Sequence, residues 1–221
     1  MGRPREHGEA IGRELLAVAA QVLASEGADA VTIRRLADEV GTTTRAIYTV
    51  FGGRQGVFEA LYRQAVEGMV ERHELVARFD DPLEEILALA LAYRAGAMAH
   101  PSLYGLLFPG SVPEFRSGRQ DARYARRSFD RVRATVERGI LAGTFPSRDP
   151  VATTVGLWAA VHGLASLELL GVLGADALAV PVWRETMRSL LTGFAAPPGV
   201  DRPLAASTVR SGTSSHPRGS R

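Results

Sequence analysis

Residues 33–52, IRRLADEVGTTTRAIYTVFG, read as two short helices about a tight turn. Leu36 and Val40 on the first helix, and Ile47, Val50 and Phe51 on the second, are spaced by four and three, so each set falls on one helical face and is expected to be buried. Ala37 is small where the second helix must cross the first closely. Gly41 stands at the reversal, where a positive φ costs glycine nothing. The Thr43 hydroxyl is placed to cap the next helix. Thr44, Arg45, Tyr48 and Thr49 are left over and share the outward face. A helix-turn-helix offers its second helix to the major groove of DNA in this way, although short helix pairs joined at glycine also occur in helical domains with no such role.

The flanks favour the first reading. Before the pair lies an amphipathic segment with Ile11, Leu15, Leu16, Ala19, Val22 and Leu23 on one face and Gly27 as its stop. After it, Gly52-Gly53-Arg54 leads into a new helix carrying Val57, Phe58 and Leu61 inward. With these residues assembled, the stretch from Ile11 to about Tyr62 resembles the TetR family of transcriptional repressors without a gap. The resemblance runs through Gly27-Ala28-Asp29-Ala30-Val31-Thr32-Ile33-Arg34, Leu36-Ala37, Gly41-Thr42-Thr43, Ile47-Tyr48 and Phe51-Gly52-Gly53-Arg54. Four positions depart from the family pattern. Ala28 stands where an aromatic is usual, Val50 where a polar residue or His is common, Arg54 where Lys is usual, and Arg45 where the residue is typically small. The first touches packing, Val50 removes a candidate phosphate contact, and Arg45 is expected to alter the base sequence read.

Thr32 is both a helix cap and a hydroxyl able to meet a phosphate, and Arg34 follows it in the same turn. Tyr48 places a phenol at the groove edge, and Arg54 offers a fork suited to a phosphate oxygen. Thr43, Thr44 and Arg45 occupy the end of the recognition helix that enters deepest, with Thr49 one turn on. Arg45 is the candidate for base readout, since its fork matches the O6/N7 edge of guanine; a phosphate contact or a solvated charge is the alternative. Arg3 and Arg5 sit in a flexible arm, residues 1–8, either reaching DNA or idle.

Charge placement agrees with this face. The 221 residues carry 26 basic and 24 acidic side chains, a net charge of +2, and every one of the cations is Arg. That balance does not imply a general polyanion-binding surface. Between Gly41 and Gly56, however, there are Arg45 and Arg54 and no acid. The absence of Cys excludes disulfides, thiolate metal sites and Cys nucleophiles. His7, His73, His100, His162 and His216 are dispersed, and no HExxH, phosphate loop or Gly-x-Ser-x-Gly elbow occurs, so no metal, cofactor or catalytic residue is assigned. A helical enzyme and a helical interaction module stay as the alternatives to a DNA-binding protein. The N-terminus has no apolar stretch of the secretory kind, and the two longest apolar regions are short or interrupted by His162 and Glu168; a soluble cytoplasmic protein with no membrane partner is expected.

The rest is helical in pattern, so the expected class is all-α: a three-helix helix-turn-helix domain at residues 9–55, a helical-bundle domain for effector binding and dimerisation at 56–195, and a disordered Pro/Ser/Gly/Arg tail at 196–221. Helices are expected to about Phe79, from Asp81-Pro82 to His100-Pro101, over about 118–141, from Val151 to about Leu173, and from Pro181 to about Phe194, with a broken region at Pro109 to Pro113. Trp158, Ala159, His162, Gly163, Ser166 and Leu170 mix small and large residues on one side of a helix, which suits close helix packing. The TetR resemblance implies a homodimer through the last two helices, and Trp158…His162-Gly163 is similar to the Trp-His-Gly pattern of one subgroup's regulatory domain. For His162, hydrogen bonding within the domain is the alternative to ligand contact. Candidate pocket residues are Tyr93, Met98, Tyr104, Phe108, Phe129, Trp158 and His162, with ordinary core packing as the alternative for the aromatics. Residues 116–138 are Arg-rich around Phe129, Val132 and Val136, and read as a solvated amphipathic helix in preference to a second nucleic-acid surface. The implied mechanism is a homodimeric repressor on an inverted-repeat operator in double-stranded DNA, released by an unknown small-molecule effector.

Overall fold

A computed structural model describes residues 3–107, 119–174 and 176–193. Among these the chain is all-helical: α1 (Arg3–Glu26), α2 (Ile33–Val40), α3 (Thr44–Phe51), α4 (Arg54–Leu75), α5 (Pro82–Ala99), α6 (Pro101–Gly105), α7 (Arg119–Leu141), α8 (Pro150–Leu169) and α9 (Asp176–Thr192), with a 3-10 turn at Ala28–Ala30. Phe108, the Pro109 to Pro113 segment and the tail from residue 196 lie outside the described residues.

The helix starts follow from local chemistry. Thr32 and Thr43 cap α2 and α3 by accepting from the Arg35 and Ala46 amides. Asp81 and Asp149 do the same for α5 and α8, each followed by a proline that has no amide to leave unpaired. Gly41 closes α2 with φ 70°, the left-handed region.

Three expectations need correction. Residues 3–8, taken as part of a flexible arm, belong to α1, since Pro4 near a helix start presets φ and nothing breaks the helix before Gly27. Helix α9 begins at Asp176, with Pro181 inside it. A proline forfeits one helical bond near its own position, and the helix gains a turn ahead of that point where the sequence pattern would start it. Helix α4 ends at Leu75, short of Phe79, whose amide is drawn off to the Glu85 carboxylate at 3.0 Å.

Two hydrophobic cores result. The head core joins Leu15, Ala19, Val22, Leu36, Ala37, Ile47, Val57, Phe58 and Leu61 from α1 to α4, and Leu106 just beyond α6. The body core joins Ile86, Leu87, Leu89, Tyr93, Val136, Leu157, Val161, Trp183, Met187 and others from α5 and α7 to α9. The first turns of α4 therefore pack with the head and Met69 further along it with the body. The division expected between residues 55 and 56 passes through this helix. Helix α6 is a second joint, because Tyr104 belongs to the body core while Leu103 and Leu106 pack in the head.

Candidate nucleic-acid interface and ligand cavity

Helix α3 is held by Ile47, wholly buried, while Thr43, Thr44, Arg45 and Thr49 are exposed and Tyr48 is 58 % exposed. The Tyr48 ring leans over Gly53. Thr49 donates its hydroxyl back to the Arg45 carbonyl at 2.9 Å. Thr32 and Arg34 at the start of α2 are also exposed. The seven are exposed and carry hydroxyls, a phenol and guanidinium groups, the donor set that phosphates and base edges accept from. Val50, expected to be buried, is 40 % exposed. It follows Ile47 by three positions on a helix only eight residues long and rests against Gly12 of α1 without being covered.

The structure gives Arg54, expected at a phosphate, partners within the head. Its guanidinium is half-buried, with Nε donating to the Val31 carbonyl and Nη2 to the Ala28 carbonyl, both at 2.9 Å. It also lies over the Phe58 ring, 4.9 Å from the centroid. The Val31 carbonyl and that of Ala28, first residue of the 3-10 turn, each take one N–H of the fork, and Arg54 becomes a staple between α4 and the segment before α2. Arg35 is similarly committed, to Glu26 and Glu39. Gly56, one turn into α4, permits the close approach of α3, since a Cβ there would lie 1.6 Å from the Phe51 carbonyl oxygen.

A narrow cavity with about 40 Å³ of free space lies in the body between α4, α5, α7, α8 and α9. Tyr93, Phe129 and Trp158 line it, as expected, together with His73, Ser128, Thr154 and aliphatic side chains. Three expected pocket residues fall elsewhere. Met98 packs against the body core away from the cavity, five residues and so about 140° around α5 from Tyr93. His162 stands behind the wall, its Nδ1 2.5 Å from the Tyr93 hydroxyl and its ring stacked on Trp158 with centroids 5.8 Å apart. Tyr104 lines a separate, wider cleft of about 370 Å³ between α1, α4, α5 and α6, which also exposes Glu67, Glu71, Arg72 and His100. Tyr104 donates to the His162 carbonyl at 3.3 Å, and Tyr93 and Met69 form the wall common to the cavity and the cleft.

Burial holds the His162 pKa down to about 4. It does the same for His73, also to about 4, with Arg131 adding repulsion and the Leu89 carbonyl opposing. Both rings are neutral at ordinary pH. Glu85, fully buried, is ionised: desolvation works against its charge, but Arg138, the Phe79 amide, Thr135 and Arg131 outweigh it and lower its pKa. Sequence reasoning missed this group, and with it His73. The signal was present at His73, which follows Val66 and Val70 at helical spacing on the buried face of α4. Arg131 and Arg138 of the Arg-rich helix turn inward to Glu85 at 3.0 and 2.5 Å, so that helix is only partly a solvated one.

On α8, Trp158 packs toward Phe129 and His162 bonds to Tyr93 of the body, while Trp158 stays partly exposed. Ala159, Gly163 and Leu170 of the expected packing side are exposed, together with Val151, Val155 and Leu167, and Leu178 and Val182 on α9 are exposed as well. Among the described residues α8 is also the one helix long and apolar enough to cross a membrane by length and composition. No group of three or more metal-ligating side chains occurs among the described residues.

Comparison with known proteins agrees with this geometry. Residues 15–61 match the family described as bacterial regulatory proteins, tetR family, and residues 86–190 match the tetracyclin repressor-like C-terminal domain. The chain is 26 % identical to the HTH-type transcriptional regulator Rv1816 of Mycobacterium tuberculosis, over 82 % of this chain and 90 % of that protein. A solved structure of a protein of unknown function from Rhodococcus sp. RHA1 superposes with a TM-score of 0.70 at 27 % identity, covering 82 % of this chain and 96 % of that one. The fold is shared with the regulator FadR of Bacillus subtilis, solved in complex with stearoyl-CoA, at a TM-score of 0.66 and 13 % identity over 82 % and 98 % of the two chains. With α2 and α3 anchored by buried Leu36, Ala37 and Ile47 and both parts of the chain matched, the protein belongs to the TetR family and is a DNA-binding transcriptional regulator.

Proposed function

We propose that the protein is a cytoplasmic homodimeric repressor, released from an inverted-repeat operator by a small molecule that enters the body. The carrying observation is the α3 surface, where Thr43, Thr44, Arg45, Tyr48 and Thr49 stand free of the core that Ile47 anchors. Thr43, Thr44 and Arg45 enter the major groove, and Thr32, Arg34, Tyr48 and Thr49 meet the backbone. The uncovered apolar face of α8 and α9 supports two-fold association, because Val151, Val155, Leu167 and Leu170 otherwise form a contiguous apolar strip in water. A second copy accounts for that strip without a membrane, given that Glu168 at the helix end is bound to Arg94 and Trp183 inside the body.

Coupling runs through α6 in this reading. A molecule entering the cavity presses on Tyr93, which is bonded to His162, and His162 is bonded to Tyr104. Tyr104 and the head residue Leu106 are two positions apart, so a shift in the body moves the head. Such a ligand lowers DNA affinity only if it binds the DNA-incompetent arrangement more tightly. Selection of DNA from a random pool, followed by gel shift across salt concentrations, tests the reading. A palindromic, salt-sensitive winner is expected, and the absence of any selected sequence removes the repressor role.

A further inference from the structure

The body cavity is mostly hydrocarbon, with Met69, Ile86, Leu89, Leu157, Val161 and Met187 among its walls. Among the described residues, the lining side chains able to hydrogen-bond are Tyr93, Ser128, Thr154, His73 and the indole of Trp158. Tyr93 is bonded to His162 Nδ1 at 2.5 Å, and Thr154 donates to the Pro150 carbonyl at 2.7 Å. Ser128 is bonded to His73 Nδ1 at 2.6 Å. His73 Nε2 is left with no hydrogen-bond partner, in a side chain that is only 5 % exposed. A buried polar atom without a partner is costly, and a ligand that supplies one recovers that cost.

The neighbourhood fixes what the partner must be. The Leu89 carbonyl faces the ring and already accepts within α5, yet it does not reach bonding geometry with Nε2. A lone pair on Nε2 would repel that oxygen, so Nε2 carries the hydrogen and the Ser128 hydroxyl donates to Nδ1. The vacant position is therefore a donor. Among the described residues no charged side chain lines the cavity to neutralise an ion, and the Arg131 guanidinium nearby pairs with Glu85 and the Val76 carbonyl, with its buried Nε left over. Free space of about 40 Å³ limits the guest, although the unbranched Met69 and Met187 can yield to a single ring or short chain.

We infer that the effector is a compact, uncharged and largely apolar molecule whose one acceptor oxygen is received by the Nε2–H of His73. The inference rests on the regulator reading for the effector's role, while the site itself is measured without DNA. Acetophenone and α-methylstyrene have nearly one shape and differ in carbonyl against methylene, and benzoate supplies the charged counterpart. With the full chain in equilibrium dialysis, acetophenone is expected to bind at least tenfold more tightly than benzoate. Its preference over α-methylstyrene is expected to fall about tenfold in His73→Leu and to be kept in His73→Gln. Because His73→Leu removes a buried contact and can fail to fold, wild-type imidazole NMR provides an independent readout: the Nε2–H resonance moves with acetophenone and not with α-methylstyrene.

Any of three results overturns the inference: no probe binding at millimolar concentration, an equal preference in wild type and His73→Leu, or benzoate competing on equal terms. Binding of acetophenone as described by a protein that selects no DNA sinks the regulator and leaves the site standing. Selection of DNA with no binding of any probe does the reverse.

Discussion

Arg54 Nε donates to the Val31 carbonyl across 2.9 Å, tying the first residue of α4 to the strand of loop that delivers the chain into α2. The same guanidinium reaches Ala28, so one side chain sets the spacing between two turns of the head. Arg54→Ala is expected to destabilise the protein by about 1–3 kcal/mol in chemical denaturation, because both carbonyls lose a charged donor. The slope of log affinity against log salt for DNA should stay as in the wild type. A slope reduced by about one unit would restore Arg54 to the phosphate contacts.

Arg45 and Arg34 separate along a different axis. Arg45→Ala should relax selectivity at one base position per half-site by about 1–3 kcal/mol, read from binding to a panel of singly substituted operators. Arg34→Ala should weaken every sequence alike and shallow the salt dependence. Full selectivity retained in Arg45→Ala would place that cation on the backbone.

The neutral histidines make stability fall with acidity. Their folded pKa values, about 4, lie below the unfolded value near 6.5, so the unfolded chain takes up protons first. Their contribution is complete above about pH 6.5 and is lost at about 1.4 kcal/mol per group per pH unit as the pH falls toward 4. Glu85 extends the decline through and below the carboxylate range, since its folded pKa is depressed by Arg138 and its other partners against the cost of burial. Urea midpoints measured from pH 7 to 4 should drop steadily, and His162→Gln should flatten part of that slope. A flat profile in wild type would mean that neither ring is buried in the neutral form.

Association is expected to depend on the outer face of α8. Val155→Glu combined with Leu167→Glu places two charges in an apolar strip exposed on the single chain, so the folded monomer should persist while sedimentation shows the dimer lost. Operator affinity should then fall by a hundredfold or more, as one head replaces two. A double variant that still sediments as a dimer would move the interface elsewhere.

The α2–α3 pair was legible from sequence because short-range chemistry decides it. Thr32 and Thr43 cap the amides three residues on, Gly41 takes positive φ, and Leu36 and Ile47 are buried as their spacing requires. Arg54 was not legible, because its donors suit a phosphate oxygen and a backbone carbonyl equally and only the fold brings Val31 and Ala28 within reach. Glu85 and its arginines are about fifty residues apart in sequence, so no local pattern marks them as partners. The split of α8 into an inward Trp158–His162 edge and an outward Val155–Leu167 edge depends on which neighbours arrive, and composition alone could not assign it.

Leu103 and Leu106 pack among head residues although they are separated from them in sequence by the whole of α5. Grafting this reader onto another sensor by splicing after residue 55 would therefore cut through α4 and leave the transplanted piece with a hole where those leucines belong. A working chimaera has to import matching side chains at 103 and 106 from the same parent, so the head and body of this chain are not independent cassettes.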